Sequence, residues 1–255
     1  MTDLERLAAI VDDAALNANA IPQFSEHSPL SVADGYAVQA LSMQRRYARG
    51  DRRVGIKMGF TSRAKQVQMG LDDLIWGHLT ETMRMQEGGS ISMAHYVHPR
   101  VEPEIAYLIK HELAGNISPL EAINGVAGIA CAMEVIDSRY ANFKFDAGDV
   151  VADNTSAAGF VIGDWHPPDT DVTNLGIVLN INGRPKQIGS SASILGNPSR
   201  ALVAAIRLAA ENGEPLQPGD IVLAGSATAA VELSVGDHVE AQFETLGSVC
   251  FSVRE

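Results

Sequence analysis

Val101-Glu102-Pro103-Glu104-Ile105-Ala106, running on to Ile109, is the stretch from which the rest of the chain can be ordered. Read as a strand, its side chains alternate between two faces. Glu102 and Glu104 then share one face, about 7 Å apart along the chain. Val101, Ile105, Tyr107 and Ile109 fall on the other, an apolar row suited to a core. Two carboxylates on one face of an otherwise buried strand repel each other and lose their hydration. A divalent cation would relieve both penalties, and ligation by oxygen alone favours Mg²⁺ or Mn²⁺. The competing reading leaves both glutamates facing solvent on a half-exposed strand. Pro103 suits an edge strand or a bulge under either.

Working outward, the first fifty residues read as helical. Leu4, Leu7, Ala8, Ile10 and Val11 recur at helical spacing. After the break at Pro22, Ser31 reads as an N-cap for a second helix that Gly50 ends. Ala64 to Met69 suits a short helix before Gly70. From about residue 88 the character turns to strands: 101–109, 132–136, 159–162 and 175–181, the last followed by the hairpin signal Asn182-Gly183. Ser199 to Asn212 reads as a helix started by the serine and stopped at Gly213. Short strands at 221–223, 229–233, 238–243 and 249–253 finish the chain. Helices first and strands after, without regular βαβ alternation, is an α+β pattern. The division expected is a mainly helical portion over 1–85, contributing Lys57, and a β-rich catalytic, metal-binding domain over 86–255.

Three further segments carry groups that could do chemistry. Ala132-Met133-Glu134-Val135-Ile136 sets Glu134 among apolar neighbours, where it needs a partner: a metal ion shared with the other two glutamates, or an ion pair, with Arg139 the nearest cation in sequence. Gly55-Ile56-Lys57-Met58-Gly59 places one lysine in an apolar stretch, where it either snorkels to solvent or serves a site. Asp153-Asn154-Thr155-Ser156 clusters short polar groups that suit a turn or substrate hydrogen bonds equally. Dinucleotide and phosphate-loop fingerprints, His-Glu-x-x-His, Gly-x-Ser-x-Gly and paired Cys-x-x-Cys spacings are all absent.

The 255 residues carry a formal charge of −12 with no basic cluster, which argues against nucleic-acid binding. No apolar run reaches the roughly 20 residues of a membrane span. The start shows no basic-then-apolar leader, and Cys131 and Cys250 are too few for a disulfide framework. The compartment expected is the cytoplasm. In so acidic a protein an anion site must be made locally, by a metal ion or a few placed cations.

Taken in order, Gly55-Ile56-Lys57-Met58-Gly59-Phe60-Thr61-Ser62, His98-Pro99-Arg100-Val101-Glu102-Pro103-Glu104-Ile105-Ala106, Glu134-Val135-Ile136-Asp137-Ser138-Arg139 and Val151-Ala152-Asp153-Asn154-Thr155-Ser156 resemble the hydratase/decarboxylase branch of the fumarylacetoacetate hydrolase superfamily. The resemblance runs from about residue 30 to the end. It implies a mixed β-roll preceded by a smaller helical portion, with Mg²⁺ or Mn²⁺ on Glu102, Glu104 and Glu134. It also implies that Lys57 reaches the substrate, with Asn154 and Ser156 nearby.

Within that branch the hydratases carry an aspartate two positions before the glycine numbered Gly77 here. Ile75-Trp76-Gly77 is instead similar to the decarboxylating members, as are Tyr140-Ala141-Asn142-Phe143-Lys144-Phe145-Asp146 and Thr228-Ala229-Ala230-Val231. Further on, Ala224 stands before Gly225 where a threonine before glycine is usual. The activity implied is decarboxylation of 2-oxo-3-hexenedioate, a small dicarboxylic 2-oxo acid, to 2-hydroxypenta-2,4-dienoate, with Ile75 and Trp76 walling the departing carboxylate. The resemblance further implies a homo-oligomer and a complex with 2-hydroxypentadienoate hydratase. The alternatives are the hydratase activity itself, an acylpyruvate C–C hydrolase using a His–Glu pair for which His27 and Glu26 are the candidates, and a non-catalytic scaffold subunit.

Overall fold

The computed structural model describes residues 2–26 and 29–255, without the side chains of 63–65. Helix α1 (Asp3–Asn17) opens on a capping box, the Thr2 hydroxyl accepting from the Glu5 N–H while Glu5 accepts from the Thr2 N–H. Helix α2 (Val32–Ala48) is capped by Ser31 and ends at Gly50, whose φ of +95° is the left-handed closure that glycine adopts freely.

Next come β1 (Arg53–Gly59), α3 (Arg63–Met69), β2 (Ile75–Thr80), β3 (Ser90–Ser92) and β4 (Arg100–Ile109). They are followed by α4 (Pro119–Asn124), β5 (Val126–Ile136), α5 (Ala147–Ala152) and β6 (Ala157–Ile162). The hairpin β7 (Gly176–Ile181) and β8 (Arg184–Ser190) turns at Asn182 and Gly183, both at positive φ. Helix α6 (Pro198–Glu211) and strands β9 (Ile221–Ser226), β10 (Val231–Glu232), β11 (His238–Phe243) and β12 (Gly247–Arg254) complete the chain.

Among the described residues the strands form two sheets. The larger runs β2-β1-β9-β4-β5-β6, with β10 pairing β4; the smaller runs β3-β12-β11-β7-β8. The sheets face each other across the main core. Ile105, Tyr107 and Ile109 of β4 and Ile129, Cys131 and Met133 of β5 share it with Leu179 of β7, Val239 of β11 and Phe251 of β12. The opposite face of the larger sheet packs small residues, Ala106, Ala130 and Ala132, beside Leu79, Phe160 and Leu223. Helices α1, α2 and α5 form a layer beyond β2. Gln39 of α2 ties it down, its amide donating to the carbonyls of Trp76 and Val151.

Three expectations from sequence change here. Residues 53–59 and 75–80, expected within the mainly helical portion, are strands of the larger sheet; glycine-flanked Val54–Met58 pairs in parallel with β9 on one side and antiparallel with β2 on the other. Helix α6 is capped by Asn197 with Pro198 in its first turn, so the helix begins before Ser199. Strand β4 lies inside its sheet, so of the two settings that suit Pro103 the edge is excluded and the bulged ladder holds. Pro103 is tolerated because it faces the break between β9 and β10, where the ladder shifts register and the Ala227 N–H reaches the Pro103 carbonyl at 3.0 Å.

Candidate active site

Strands β4, β5 and β1 bring the charged groups together. Glu102 stands directly opposite Glu134 in the β4–β5 ladder, and Glu104 follows on the same face. Carboxylate oxygens of Glu102, Glu104 and Glu134 lie within 4.8 Å of one another, and all three residues are buried. The solvent-facing alternative for the two strand glutamates is therefore not what the fold adopts. Lys57 reaches in from β1, its Nζ 2.8 Å from Glu134 Oε2 and donating to the Thr155 carbonyl at 3.2 Å. Arg139, the other partner considered for Glu134, pairs with Asp153 instead.

Three carboxylates against one ammonium leave the cluster short of positive charge. Burial pushes Glu134 up to about 7 despite the neighbouring lysine, and burial with the Glu134 carboxylate beside it holds Glu104 well above the usual range. Burial pulls the Lys57 ammonium down, but Glu134, Glu104 and Glu102 outweigh it and keep the lysine above its ordinary value. Glu104 Oε1 and Glu134 Oε1 are buried with no hydrogen-bond partner among the described residues. Orphaned carboxylate oxygens converging from two strands fit a hard divalent cation, Mg²⁺ or Mn²⁺.

Glycine sets one edge of this cluster. The Gly225 N–H donates to Glu104 Oε2 at 2.7 Å. Its φ is +103°, and a Cβ there would lie 2.3 Å from Thr61 Oγ1, so neither the conformation nor the space admits a side chain.

The opposite wall is a turn of unusual backbone. Asn154, Thr155 and Ser156 all have positive φ (48°, 51° and 58°), a conformation that costs on the order of 1–2 kcal/mol per residue. The surroundings fix it. Asn154 exchanges two hydrogen bonds with the backbone of His78, the Thr155 hydroxyl donates to the Trp76 carbonyl at 2.7 Å, and the Asp137 N–H donates to the Ser156 carbonyl at 2.9 Å. Behind it the Arg139 guanidinium grips the Asp153 carboxylate and also donates to the Asp153 and Ala157 carbonyls. Asp137 in turn accepts from the N–H groups of Val97 and His98, fixing the approach to β4.

A cavity of about 590 Å³ opens above the cluster. Lys57, Glu102, Thr155 and Ser156 form its polar floor, and Phe60, Ile136, Phe143, Phe145 and Val150 its apolar wall. The Ser156 hydroxyl is buried and has no hydrogen-bond partner, so it is available to a bound molecule.

The other expected substrate contacts lie elsewhere. Ile75 sits one layer behind the wall, packed with Phe60 and Val150, and Trp76 is stacked on Tyr36 in the core at 5.8 Å. Asn154 spends its amide on His78 and faces away from this cavity. His27 is outside the described residues; Glu26 is not among the groups lining the cavity. Ser193, which does line it, carries no sequence signal, since isolated hydroxyl residues are common on any surface, and Thr61 and Thr228, which line it too, are marked only as members of longer resembling segments.

The profile described as fumarylacetoacetate (FAA) hydrolase C-terminal matches residues 54–254. A 4-oxalocrotonate decarboxylase of a Pseudomonas species is 54% identical over 249 residues, covering 98% of this chain and 97% of its own. A 2-keto-4-pentenoate hydratase of Paraburkholderia xenovorans (strain LB400) is 32% identical over 223 residues, 86% of this chain and 83% of its own. Among solved structures, the 4-oxalocrotonate decarboxylase of Pseudomonas putida G7, complexed with magnesium and adipate, superposes with a TM-score of 0.95 at 35% identity, covering 99% of this chain and 98% of that one. With the match spanning the strands that carry Lys57 and all three glutamates, the chain belongs to the fumarylacetoacetate hydrolase family.

Proposed function

We propose that this chain is a divalent-metal-dependent carboxy-lyase that converts 2-oxo-3-hexenedioate (4-oxalocrotonate) to 2-hydroxypenta-2,4-dienoate and CO₂, in the meta-cleavage degradation of aromatic compounds. The observation that carries the reading is the buried, charge-deficient cluster of Glu102, Glu104, Glu134 and Lys57 under a cavity with an apolar wall. The identity to a named decarboxylase, 54% against 32% for the hydratase, favours decarboxylation over hydration.

A divalent cation on the three glutamates would supply Lewis acidity toward the 2-oxo group and an anchor for the adjacent carboxylate. The residues of the chain do the rest. Breaking the C5–C6 bond releases CO₂, and the electron pair moves through the C3–C4 double bond onto the C2 oxygen. Lys57, kept protonated by the surrounding carboxylates, holds positive charge and a proton where that oxygen gains charge. The Thr155 carbonyl aims the ammonium, and the Ser156 hydroxyl donates to a substrate oxygen. Phe143, Phe145 and Val150 line a wall that accommodates the neutral CO₂ as it forms, with Ile75 backing that wall from behind.

The dienol product is unstable, so the same reading includes self-association and a complex with the hydratase that consumes it. Light scattering of the protein alone and mixed with that hydratase tests both associations.

The activity is tested with metal-free protein and added Mg²⁺ in two cuvettes, one with 2-oxo-3-hexenedioate and one with 2-hydroxypenta-2,4-dienoate, while CO₂ is followed. Metal-dependent CO₂ release from the diacid, with a slow second cuvette, is the expected result. Rapid loss of the dienol without CO₂ would make the chain a hydratase.

A further inference from the structure

The cavity has two ends of different chemistry. Lys57 and Glu102 stand at its floor, with Glu104 and Glu134 clustered beside Glu102, and Arg100, whose side chain is 33% exposed, stands nearer solvent. Arg100 precedes Glu102 by two residues on β4, so both side chains leave the same face of the strand, about 7 Å apart along it. Among the described residues lining the cavity, Lys57 and Arg100 are the cations. Lys57 is committed to Glu134 and the Thr155 carbonyl.

Arg100 is held far more loosely. Its guanidinium carbon lies 4.2 Å over the Phe143 ring, which fixes the plane of the group. Nη2 donates to Glu232 Oε1 at 3.0 Å, and Nε is buried without a hydrogen-bond partner. The Glu232 side chain is 78% exposed, so the pair is screened, weak and easily exchanged. A guanidinium of fixed plane with a replaceable partner is a carboxylate receptor.

We propose that Arg100 receives the distal carboxylate of the substrate in exchange for Glu232, and thereby selects a dicarboxylate over a monocarboxylate. This rests on the decarboxylase reading, which places the other carboxylate at the glutamate cluster. An extended six-carbon chain spans roughly 6 Å between its end carbons, close to the strand spacing from Glu102 to Arg100. Arg100 favours the carboxylate while it is charged and favours it less as CO₂ departs. Its contribution is therefore to substrate binding, and its loss raises KM without a matching fall in kcat.

The test is calorimetric titration of the Mg²⁺-loaded protein with adipate and with hexanoate, for wild type, Arg100→Gln, Arg100→Lys and Glu232→Gln. Arg100→Gln should weaken adipate by about tenfold to a hundredfold and leave hexanoate within about twofold. Arg100→Lys should recover part of the loss, and Glu232→Gln should tighten adipate by about twofold to fivefold as the competing surface pair is removed. With the diacid substrate, Arg100→Gln should raise KM by a similar factor with kcat within about threefold. Equal weakening of both acids, or adipate unchanged in both Arg100→Gln and Glu232→Gln, overturns the proposal. Binding is read without turnover, so wild type that binds adipate through Arg100 yet releases no CO₂ would refute the decarboxylase reading and leave this one standing.

Discussion

Two buried ion clusters lie on either side of the turn at 153–156, and they are built on opposite principles. Behind the turn, Arg139 and Asp153 form a closed pair: the Asp153 carboxylate receives the Arg139 backbone N–H and the guanidinium Nε–H, and Nη1 and Nη2 donate to the Ala157 and Asp153 carbonyls. In front of it, Lys57 faces three glutamates, and oxygens of Glu104 and Glu134 have no donor among the described residues. Burial alone does not tell the two apart, since Lys57 and Arg139 are 3% and 4% exposed. What separates them is whether each polar atom has been answered. A closed cluster holds structure in place, whereas an open one keeps unmet charge for a ligand.

The sharpest way to break the contrast is to neutralise a member of the open cluster. Glu104→Gln should lower turnover by about a thousandfold or more, because the cation site loses a charged ligand. The metal-free variant should nevertheless melt no lower than wild type, since one unpaired buried charge has been removed. A large loss of apo-protein stability by calorimetry would show that Glu104 is a structural acid.

Next in size is the closed cluster. Asp153→Asn leaves the Arg139 guanidinium buried and uncompensated, which should cost about 3–5 kcal/mol of unfolding free energy in denaturant melts. The two variants thus separate function from stability in opposite directions. If Asp153→Asn melts like wild type, the pair is not what fixes the turn.

Lys57→Met should lower turnover at least about a hundredfold while Mg²⁺ affinity, read by titration, stays within a few-fold. Near-normal turnover in this variant would remove the lysine from the chemistry.

The smallest effect belongs to His78, whose backbone holds Asn154 and whose ring is buried against Tyr47. Burial, with Arg53 nearby, lowers its pKa to about 3 from an ordinary 6.5. Between those values the unfolded chain binds the proton that the folded one refuses, so this contribution to stability falls as pH drops below about 6.5. From pH 7 to 5.5 the loss should be about 1 kcal/mol, and His78→Gln should flatten that part of the melting profile. An unchanged slope would mean that the imidazole is protonated in the folded state.

Much of this was legible in the sequence where one residue type in one period carries the meaning. Strand alternation around Pro103 put Glu102 and Glu104 on one face, and glycine-flanked Lys57 stood out in an apolar run. The left-handed turn was not legible, because Asn154, Thr155 and Ser156 are not glycines and nothing local demands positive φ of them. Tertiary hydrogen bonds from His78, Trp76 and Asp137 impose it. The role of Asn154 is hidden for the same reason: its side chain is spent on a strand 76 residues away. Ile75 and Trp76 lie behind the cavity wall and not in it, and sequence does not reveal this, since an apolar residue near a site reads the same whether it lines the wall or supports it. Arg100 was visible only as part of a motif, and its place at the rim depends on Phe143 and Glu232, which come from distant segments.

The central claim is that the open cluster is a divalent-cation site driving decarboxylation. The most direct measurement is a Mg²⁺ titration of metal-free protein in which unfolding temperature and CO₂ release from 2-oxo-3-hexenedioate are read on the same samples. The account predicts that both rise along one saturating curve, and that Glu104→Gln abolishes both responses. Full-rate CO₂ release from protein stripped of divalent metal, or Mg²⁺ that shifts neither quantity, would contradict it.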